Sequence, residues 1–274
     1  MSKKRVLFIT QEMLPYLEET EIAKVARNLP QGIQQKGKEI RTFMPRFGCI
    51  NERRNQLHEV IRLSGMNLII NDNDHPLIIK VASIQAARIQ VYFIDNEEYF
   101  SRKAGLTDKK GKEFADNDER AIFYWRGVLE TVKKLGWNPD IIHCHGWMTS
   151  LVPLYIKRAF NEDPIFANSK VVTSLYANGF EDKLSENFAY KAVLDGIDVE
   201  EVENIKDASA NNLQKFATDW SDAIILGSEK VDEEIKAYAK STGKPILSEF
   251  NEGNYIEEFD KFYDEVLAVE NVES

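Results

Sequence analysis

Six short apolar runs, separated by segments of helical periodicity, limit the folds open to this chain. They lie at 6–9, 40–45, 89–94, 140–145, 170–175 and 222–227. Continuous apolar runs of this length are typical of strands covered on both faces of a parallel sheet. Helical spacing from Ile22 to Ile33 predicts the first crossover helix, with a break or bend at Pro30. The alternation predicts an α/β fold with a Rossmann-like, doubly wound, mainly parallel sheet.

The stretch 57–95 departs from this alternation. Its β-rich segments at 57–63, 66–70 and 76–82 surround an Asn/Asp turn at 71–74, and this pattern predicts a β-hairpin insertion. Residues 101–117 are polar and contain two glycines, which predicts a mobile surface loop. Further helices are predicted at 117–134, at 186–217, from Ser228 as an N-cap, and at 254–269.

The charge balance excludes several classes of partner. The 274 residues carry a formal net charge of -10, whereas nucleic-acid surfaces and anionic lipids require clustered Lys and Arg. The first apolar run is too short for a signal peptide, and no stretch approaches the ~20 apolar residues of a membrane span. Two cysteines, Cys49 and Cys144, are expected to be reduced thiols. We expect a cytoplasmic protein that binds neither nucleic acid nor membrane.

The turn from Glu12 to Lys24 follows the first strand, where α/β sheets bind their ligands. A phosphate site at a helix N-terminus uses close backbone approach at glycines and often a cation. This turn instead contains Glu18, Thr20 and Glu21. Two interpretations remain open: a ligand site unsuited to phosphate, or acidic residues that complement the helix dipole.

A second group of candidate contacts follows later strands. His143 and His145 lie on one face of a strand, and Trp147 comes directly after it. A metal site would need a third ligand that is not evident, so we predict no metal. The histidines are candidate polar contacts in a cleft, and Trp147 either stacks on a sugar ring or packs a helix. Asn178, in an Asn-Gly turn after the next strand, is a further candidate. The sequence contains no P-loop, GxGxxG, CxxC or GxSxG motif, and we predict no catalytic residue and no cofactor.

The order of these pieces resembles a known family. The most specific region is 117–157, with Glu119-Arg120, the stretch 135–140, His143-Cys144-His145 and Trp147. It resembles the N-terminal half of bacterial glycogen synthases and plant starch synthases, which are glycosyltransferases of the two-domain GT-B fold. The resemblance implies a single N-terminal half over 1–240, followed by a tail, 241–274, whose helix packs back on the domain and covers the face of a missing C-terminal domain.

The resemblance also implies that functional positions have changed. In the family, a lysine and two glycines of the first turn hold the donor diphosphate, and an aspartate follows. Here Glu18 stands at the lysine, Thr20 and Glu21 at the glycines, and Lys24 at the aspartate. We interpret these four residues as a degenerate donor loop.

Two positions in the family's active cleft differ as well. An aspartate of the family is replaced by Gly146, and a histidine by Leu175. The resemblance therefore implies a synthase-like domain without autonomous glucosyl transfer from ADP-glucose, which binds an α-glucan, a malto-oligosaccharide or a protein partner in glycogen metabolism. One alternative is a subunit of an active synthase with a separate donor-binding domain. Another is an interaction module without a carbohydrate role.

Overall fold

A computed structural model describes residues 3–177, 179–248 and 253–269. The strands are β1 (Arg5–Thr10), β2 (Glu39–Pro45), β3 (His58–Glu59), β4 (Met66–Ile70), β5 (Asn73–Ile84), β6 (Ile89–Asp95), β7 (Ile141–His145), β8 (Lys170–Leu175), β9 (Ala223–Leu226) and β10 (Ile246–Leu247). The helices are α1 (Glu21–Gln35), α2 (Glu97–Phe100), α3 (Asn117–Leu135), α4 (Val152–Lys157), α5 (Phe188–Lys191), α6 (Ala210–Trp220), α7 (Glu233–Ser241) and α8 (Tyr255–Ala268). All six apolar runs form strands.

The strands form one mixed sheet in the order β10-β9-β8-β7-β1-β2-β6-β5-β3, with β4 paired to β5. Every pairing from β10 to β6 is parallel. The three pairings that involve β5 are antiparallel. The predicted α/β fold, mainly parallel with a β-hairpin insertion, is therefore confirmed. The carboxyl ends of β1, β2, β7 and β8 lie along one edge, where a ligand site is expected.

Helices cover both faces of the sheet. Successive side chains of a strand point to opposite faces, so each strand contributes to two helix–sheet contacts. On one face, Val6 and Phe8 of β1 pack in a cluster with α1 and α8. On the other, Leu7 and Ile9 join a larger core that includes α3, α4 and α6. This layering explains why β1 has no polar face.

Helix α1 is not broken at Pro30, and the predicted alternative of a bend there stays a prediction. It runs through Pro30 without ending there, from Thr20, whose hydroxyl accepts a hydrogen bond from Ala23 N at 3.0 Å, to Gln35. A proline inside a helix removes one backbone hydrogen bond. Here Pro30 is buried with Leu29 and Ile33, so burial of the apolar face offsets that loss.

Helix α8 packs on α1 and on the sheet. Its Phe259, Phe262, Tyr263 and Val266 are buried beside β1, β7, β8 and β9. The two helices approach closely at Gly32, where a Cβ atom would lie 2.4 Å from Ile256 Cγ2. At the other side of the contact, Lys38 forms ion pairs with Asp260 and Asp264 of α8, at 2.7 and 2.9 Å.

The insertion and the following loop are partly as predicted. The hairpin of β4 and β5 turns at Asn71 and Asp72, which both adopt positive φ. The first predicted segment, 57–63, pairs only at His58 and Glu59. Residues 101–116 contain no helix or strand beyond a bridge between Thr107 and Glu113, as expected for a loop, although its predicted mobility stays a prediction.

Two helix predictions in the C-terminal third need correction. Helix α7 begins at Glu233 and not at Ser228, because Asp232 is the N-cap and accepts from Glu234 N. The Ser228 hydroxyl instead accepts from Lys230 N in the preceding turn. The predicted helical stretch 186–217 is divided into α5, a 3-10 segment at Val199–Ile205, and α6. Strand β10 extends the sheet beyond the predicted domain boundary at 240, and that boundary stays a prediction.

Candidate functional site

A cavity of about 610 Å³ opens at the carboxyl ends of β1 and β2, and we call it the carboxyl-edge cavity. Three segments meet there: the β1–α1 connection, the residues after β2, and the loop after α2. Its lining residues are Gln11, Glu12, Tyr16, Leu17, Glu18, Thr20, Phe47, Cys49, Gly105, Leu106 and Thr107. Its volume falls within the range of small-molecule sites.

Acidic and neutral polar groups dominate the cavity's chemistry. Glu18 is exposed and forms no ion pair with a described residue, and Glu12 is half-buried. Burial raises the pKa of Glu12, although hydrogen bonds with Thr20 and Gln11 act in the opposite direction. None of the described lining residues is Lys or Arg. The cavity therefore suits an uncharged ligand with hydroxyl donors better than an anion.

The four residues of the predicted donor loop surround the start of α1. Glu18 and Thr20 line the carboxyl-edge cavity, and Thr20 caps the helix. Glu21 lies in the first turn, 3.8 Å from the ammonium group of Lys230. Lys24 forms an ion pair with Glu19 at 2.8 Å. Lys24 of the predicted donor loop is thus paired with a carboxylate of the same turn, Glu19.

His143 lies under helix α8, and His145 lies beside His143 with ring centroids 3.9 Å apart. Neither histidine lines the carboxyl-edge cavity. Both are fully buried. His143 Nδ1 lies 2.6 Å from the Tyr263 hydroxyl, and its Nε2 lies 2.7 Å from Ser174 Oγ. His145 Nδ1 lies 2.9 Å from the Tyr176 hydroxyl, and its Nε2 has no hydrogen-bond partner among the described residues.

Burial sets the protonation of these rings. It lowers the pKa of His143, with the neighbouring His145 as a second cause. It lowers the pKa of His145 to about 3. Both rings are therefore neutral near pH 7. Among residues 3–177, 179–248 and 253–269, no group of three or more His, Cys, Asp or Glu is placed to hold a metal ion.

The remaining predicted contacts are placed differently. Trp147 is buried and meets Phe180 edge-on, with ring centroids 4.9 Å apart, so it packs within the protein. It borders a void of about 10 Å³ beside Tyr176. Asn178 lies outside the described residues.

The two positions at which active-cleft residues are interpreted as lost have become structural. Gly146 adopts φ +88, and a Cβ there would lie 2.3 Å from Gln11 Oε1. Leu175 is buried in an apolar cluster with Leu226 and Ile235. Neither position is open to a polar side chain without rearrangement.

The turn from Glu12 to Lys24, predicted as a candidate ligand region, contributes five residues to the cavity's lining: Glu12, Tyr16, Leu17, Glu18 and Thr20. Gln11 directly precedes this turn. Phe47, Cys49 and the segment 105–107 carry no local signal, because only long-range packing brings them to the β1–α1 connection.

The family model of the starch synthase catalytic domain matches residues 5–248. The chain belongs to this family. A glycogen synthase from Chlorobium luteolum is 34% identical over 81% of this chain and 45% of its own length. One from Pelodictyon phaeoclathratiforme is 31% identical over 94% of this chain and 51% of its own length.

A solved structure gives the same fold. The catalytic domain of starch synthase IV from Arabidopsis thaliana, bound to ADP and acarbose, superposes with a TM-score of 0.70. It is 18% identical, and the match covers 93% of this chain and 53% of that one. The fold is thus that of one half of a GT-B glycosyltransferase. This starch synthase family member spans about half the length of the curated relatives that it matches. No helix in the described ranges has the length and apolarity needed to cross a bilayer.

Proposed function

We propose that this domain binds an α-glucan chain in the carboxyl-edge cavity and does not by itself bind or transfer glucose from ADP-glucose. Family membership supports a role in glycogen or starch metabolism. The plant relative, solved with bound ADP and acarbose, supports sugar binding by this fold. Free thiols at Cys49 and Cys144 support a cytoplasmic location for this role.

The exposed carboxylate of Glu18 at the cavity wall carries the proposal. A diphosphate at the start of α1 would meet Glu18 and Glu12, with no cation among the described lining residues to compensate. A like-charge contact at about 4 Å costs roughly 4 kcal/mol at an effective dielectric of ~20. The favourable helix dipole contributes only about 0.3–1 kcal/mol. Repulsion therefore dominates, and nucleotide sugar is excluded.

An uncharged sugar chain avoids this repulsion. Its hydroxyls can donate to the carboxylates of Glu12 and Glu18 and to the Gln11 amide oxygen, since all three are acceptors. The Tyr16 and Phe47 rings add apolar surface at the cavity wall. Ligand sites commonly combine apolar walls with a few polar groups in this way.

Calorimetric titration with maltoheptaose and ADP-glucose, each alone, tests the proposal. We expect saturable binding of maltoheptaose and no heat from ADP-glucose. Micromolar affinity for ADP-glucose would contradict the proposal. No binding of maltoheptaose or any longer glucan would favour an interaction module that engages a protein partner.

The variant Glu18→Lys tests whether the charge of Glu18 prevents nucleotide binding. Reversing this charge should weaken nothing in the fold, because Glu18 is exposed, and it should give measurable affinity for ADP or pyrophosphate. Glu59→Lys on β3 makes the same charge change at an exposed position away from the cavity. Equal gains in both variants would attribute the effect to net charge alone.

A second candidate function is favoured by the extent of the match. Relatives at 31–34% identity are named glycogen synthases and are about twice as long as this chain. The domain would then act as one part of an active synthase whose donor-binding domain is supplied separately. Glucose transfer from ADP-glucose to maltoheptaose, appearing only when the donor domain of such a relative is mixed in, would support this candidate.

A further inference from the structure

A second cavity, of about 270 Å³, lies at the opposite edge of the sheet, where β2 and β6 begin, and we call it the amino-edge cavity. It is lined by Gln34, Ile40, Arg41, Arg88, Ile89, Gln90 and Tyr92. These described lining residues include two guanidinium groups and two amides, and no carboxylate. In a chain with a net charge of -10, this local excess of positive charge is unusual.

Arg41 is held in a fixed orientation at the cavity wall. Its Nη1 donates to the Tyr92 hydroxyl at 2.6 Å. Its guanidinium carbon lies 5.6 Å from the Tyr92 ring centroid and 5.3 Å from that of Trp137. Its Nε is buried and has no hydrogen-bond partner among the described residues. The observed side-chain hydrogen bond uses Nη1, so Nη2 has no acceptor within the described part of the chain. A planar guanidinium fixed between rings loses little entropy on binding an oxyanion.

Arg88 brings a second guanidinium to the same cavity. It is exposed and forms no ion pair with a described residue. Its left-handed backbone, with φ 55, is held by a hydrogen bond from Arg88 N to the Gln85 carbonyl at 3.1 Å. The side chain thus starts from a defined turn at the rim.

The Glu39 carboxylate, which precedes Ile40 of the cavity wall, already has a cationic partner. The Glu39 carboxylate accepts from Arg5 Nε at 3.2 Å. Helix α1 ends nearby, and its Gly32 and Gln34 carbonyls accept from the N–H groups of Lys36 and Gly37. The positive groups therefore face the cavity without a competing anion from these elements.

We propose that the amino-edge cavity binds a small metabolite through a phosphate monoester. Guanidinium forks match phosphate oxygens with paired, charge-assisted hydrogen bonds, and the amides of Gln34 and Gln90 supply further neutral donors. The cavity, slightly below the usual range for drug-sized ligands, holds a phosphate with an attached group of about sugar size. This site is separate from the carboxyl-edge cavity, and no part of it depends on the proposed glucan binding.

Calorimetry at constant ionic strength with inorganic phosphate, glucose 1-phosphate and glucose tests this site. We expect saturable binding of both phosphates and none of glucose, and tighter binding of glucose 1-phosphate if the metabolite body also contacts the cavity. Equal affinities would assign the site to free phosphate. Absence of saturation by either phosphate up to roughly 10 mM would overturn the proposal, since it sets Kd above the millimolar range.

The variant Arg88→Gln should weaken phosphate binding about tenfold, because one charge-assisted pair is lost. The exposed rim position should leave the fold intact, and an unchanged midpoint of urea unfolding would show this independently. Arg62→Gln, another exposed arginine away from the cavity, is the matched control and should change the phosphate affinity less than twofold. An equal loss in both variants would overturn the site by showing a non-specific effect of charge.

Discussion

Gln11 and Gly146 form a matched pair of residues at the carboxyl edge of the sheet. The Gln11 side chain occupies the space that any Cβ at position 146 would need, and its Oε1 lies 3.4 Å from Met148 N. The Gln11 N–H also donates to the His145 carbonyl at 3.2 Å. A side chain at position 146 therefore requires the Gln11 side chain to move from its observed position.

The variant Gly146→Asp should lower the free energy of unfolding by about 2–3 kcal/mol, because overpacking adds to the strain of a positive φ. Adding Gln11→Ala should recover at least about 1 kcal/mol, a coupling of the size seen between contacting residues. Urea unfolding of the single and double variants measures this coupling.

Gly111→Asp is the control for backbone strain, since Gly111 has φ +81 and open space around its Cβ position. A loss in Gly146→Asp no larger than in Gly111→Asp would contradict the steric explanation.

The buried histidines predict a stability that falls in acid. Their folded pKa values lie below the ordinary value of about 6.5, so the unfolded chain binds more protons below that pH. Their contribution is therefore complete above about pH 6.5 and decreases as pH falls below that value, toward about 3 for His145. Each ring contributes a slope of up to about 1.4 kcal/mol per pH unit.

Urea unfolding between pH 7.5 and 4.5 measures this slope. His145→Gln should lower this slope by up to about 1.4 kcal/mol per pH unit, the contribution of one titrating group. His58→Gln replaces an exposed histidine and should leave it unchanged. Parallel pH profiles for all three proteins would show that the slope comes from other groups.

The residue scale also shows what the sequence could and could not predict at the site. Glu18 and Thr20 lie at the cavity, because the turn that follows a strand of a parallel sheet lies at the carboxyl end of that strand. His143 and His145 share a face as their spacing requires, yet that face is covered by α8. Nothing local to the strand indicates which face a distant helix will cover, so the cleft contact inferred for the histidines stays untested and their observed contacts are internal.

At the scale of elements, helix α8 joins the two ends of the chain. It packs on α1 and covers β1 and β7, and its Tyr263 contacts His143. The amphipathic pattern at 254–269 predicted the helix itself, since its apolar residues recur on one face. The course of α1 through Pro30 could not be predicted, because it depends on the surface that buries the proline.

Phe259→Ala should destabilise the domain by about 3–5 kcal/mol, the usual cost of removing a fully buried aromatic side chain. Thermal and urea unfolding measure the change. Glu265→Ala, at an exposed position of the same helix, should change stability by less than about 0.5 kcal/mol. Equal stability of Phe259→Ala and the unmodified protein would mean that α8 does not contribute to the core.

At the scale of the whole molecule, one sheet carries two cavities at opposite edges with opposite chemistry. The carboxyl-edge cavity is lined by carboxylates and the amino-edge cavity by guanidinium groups. The mainly parallel sheet was predictable from the alternation of apolar runs and helices, although the order of its strands was not predicted. The cavities were not, since each is built from segments that are distant in sequence, such as 11–20 and 105–107.

Glucan binding should therefore protect segments that are distant in sequence and meet only at the carboxyl-edge cavity. With saturating maltoheptaose, we expect amide hydrogen exchange to slow in both 11–20 and 105–107. Mass action should raise the free energy of unfolding by about 2.7 kcal/mol at 100 times Kd. The exposed hairpin turn at 71–72 is an internal control, and protection there but not at 105–107 would place the ligand elsewhere.

The close contact between Gly32 and Ile256 has a consequence for how relatives of this chain can diverge. A helix-to-helix approach that leaves no room for a Cβ atom ties two positions far apart in sequence to one another. Relatives in which α8 packs in this way must retain glycine at position 32, or carry a smaller side chain than Ile256 in the same lineage. Joint variation at these two sites would therefore trace which members of the family inherited the same C-terminal docking.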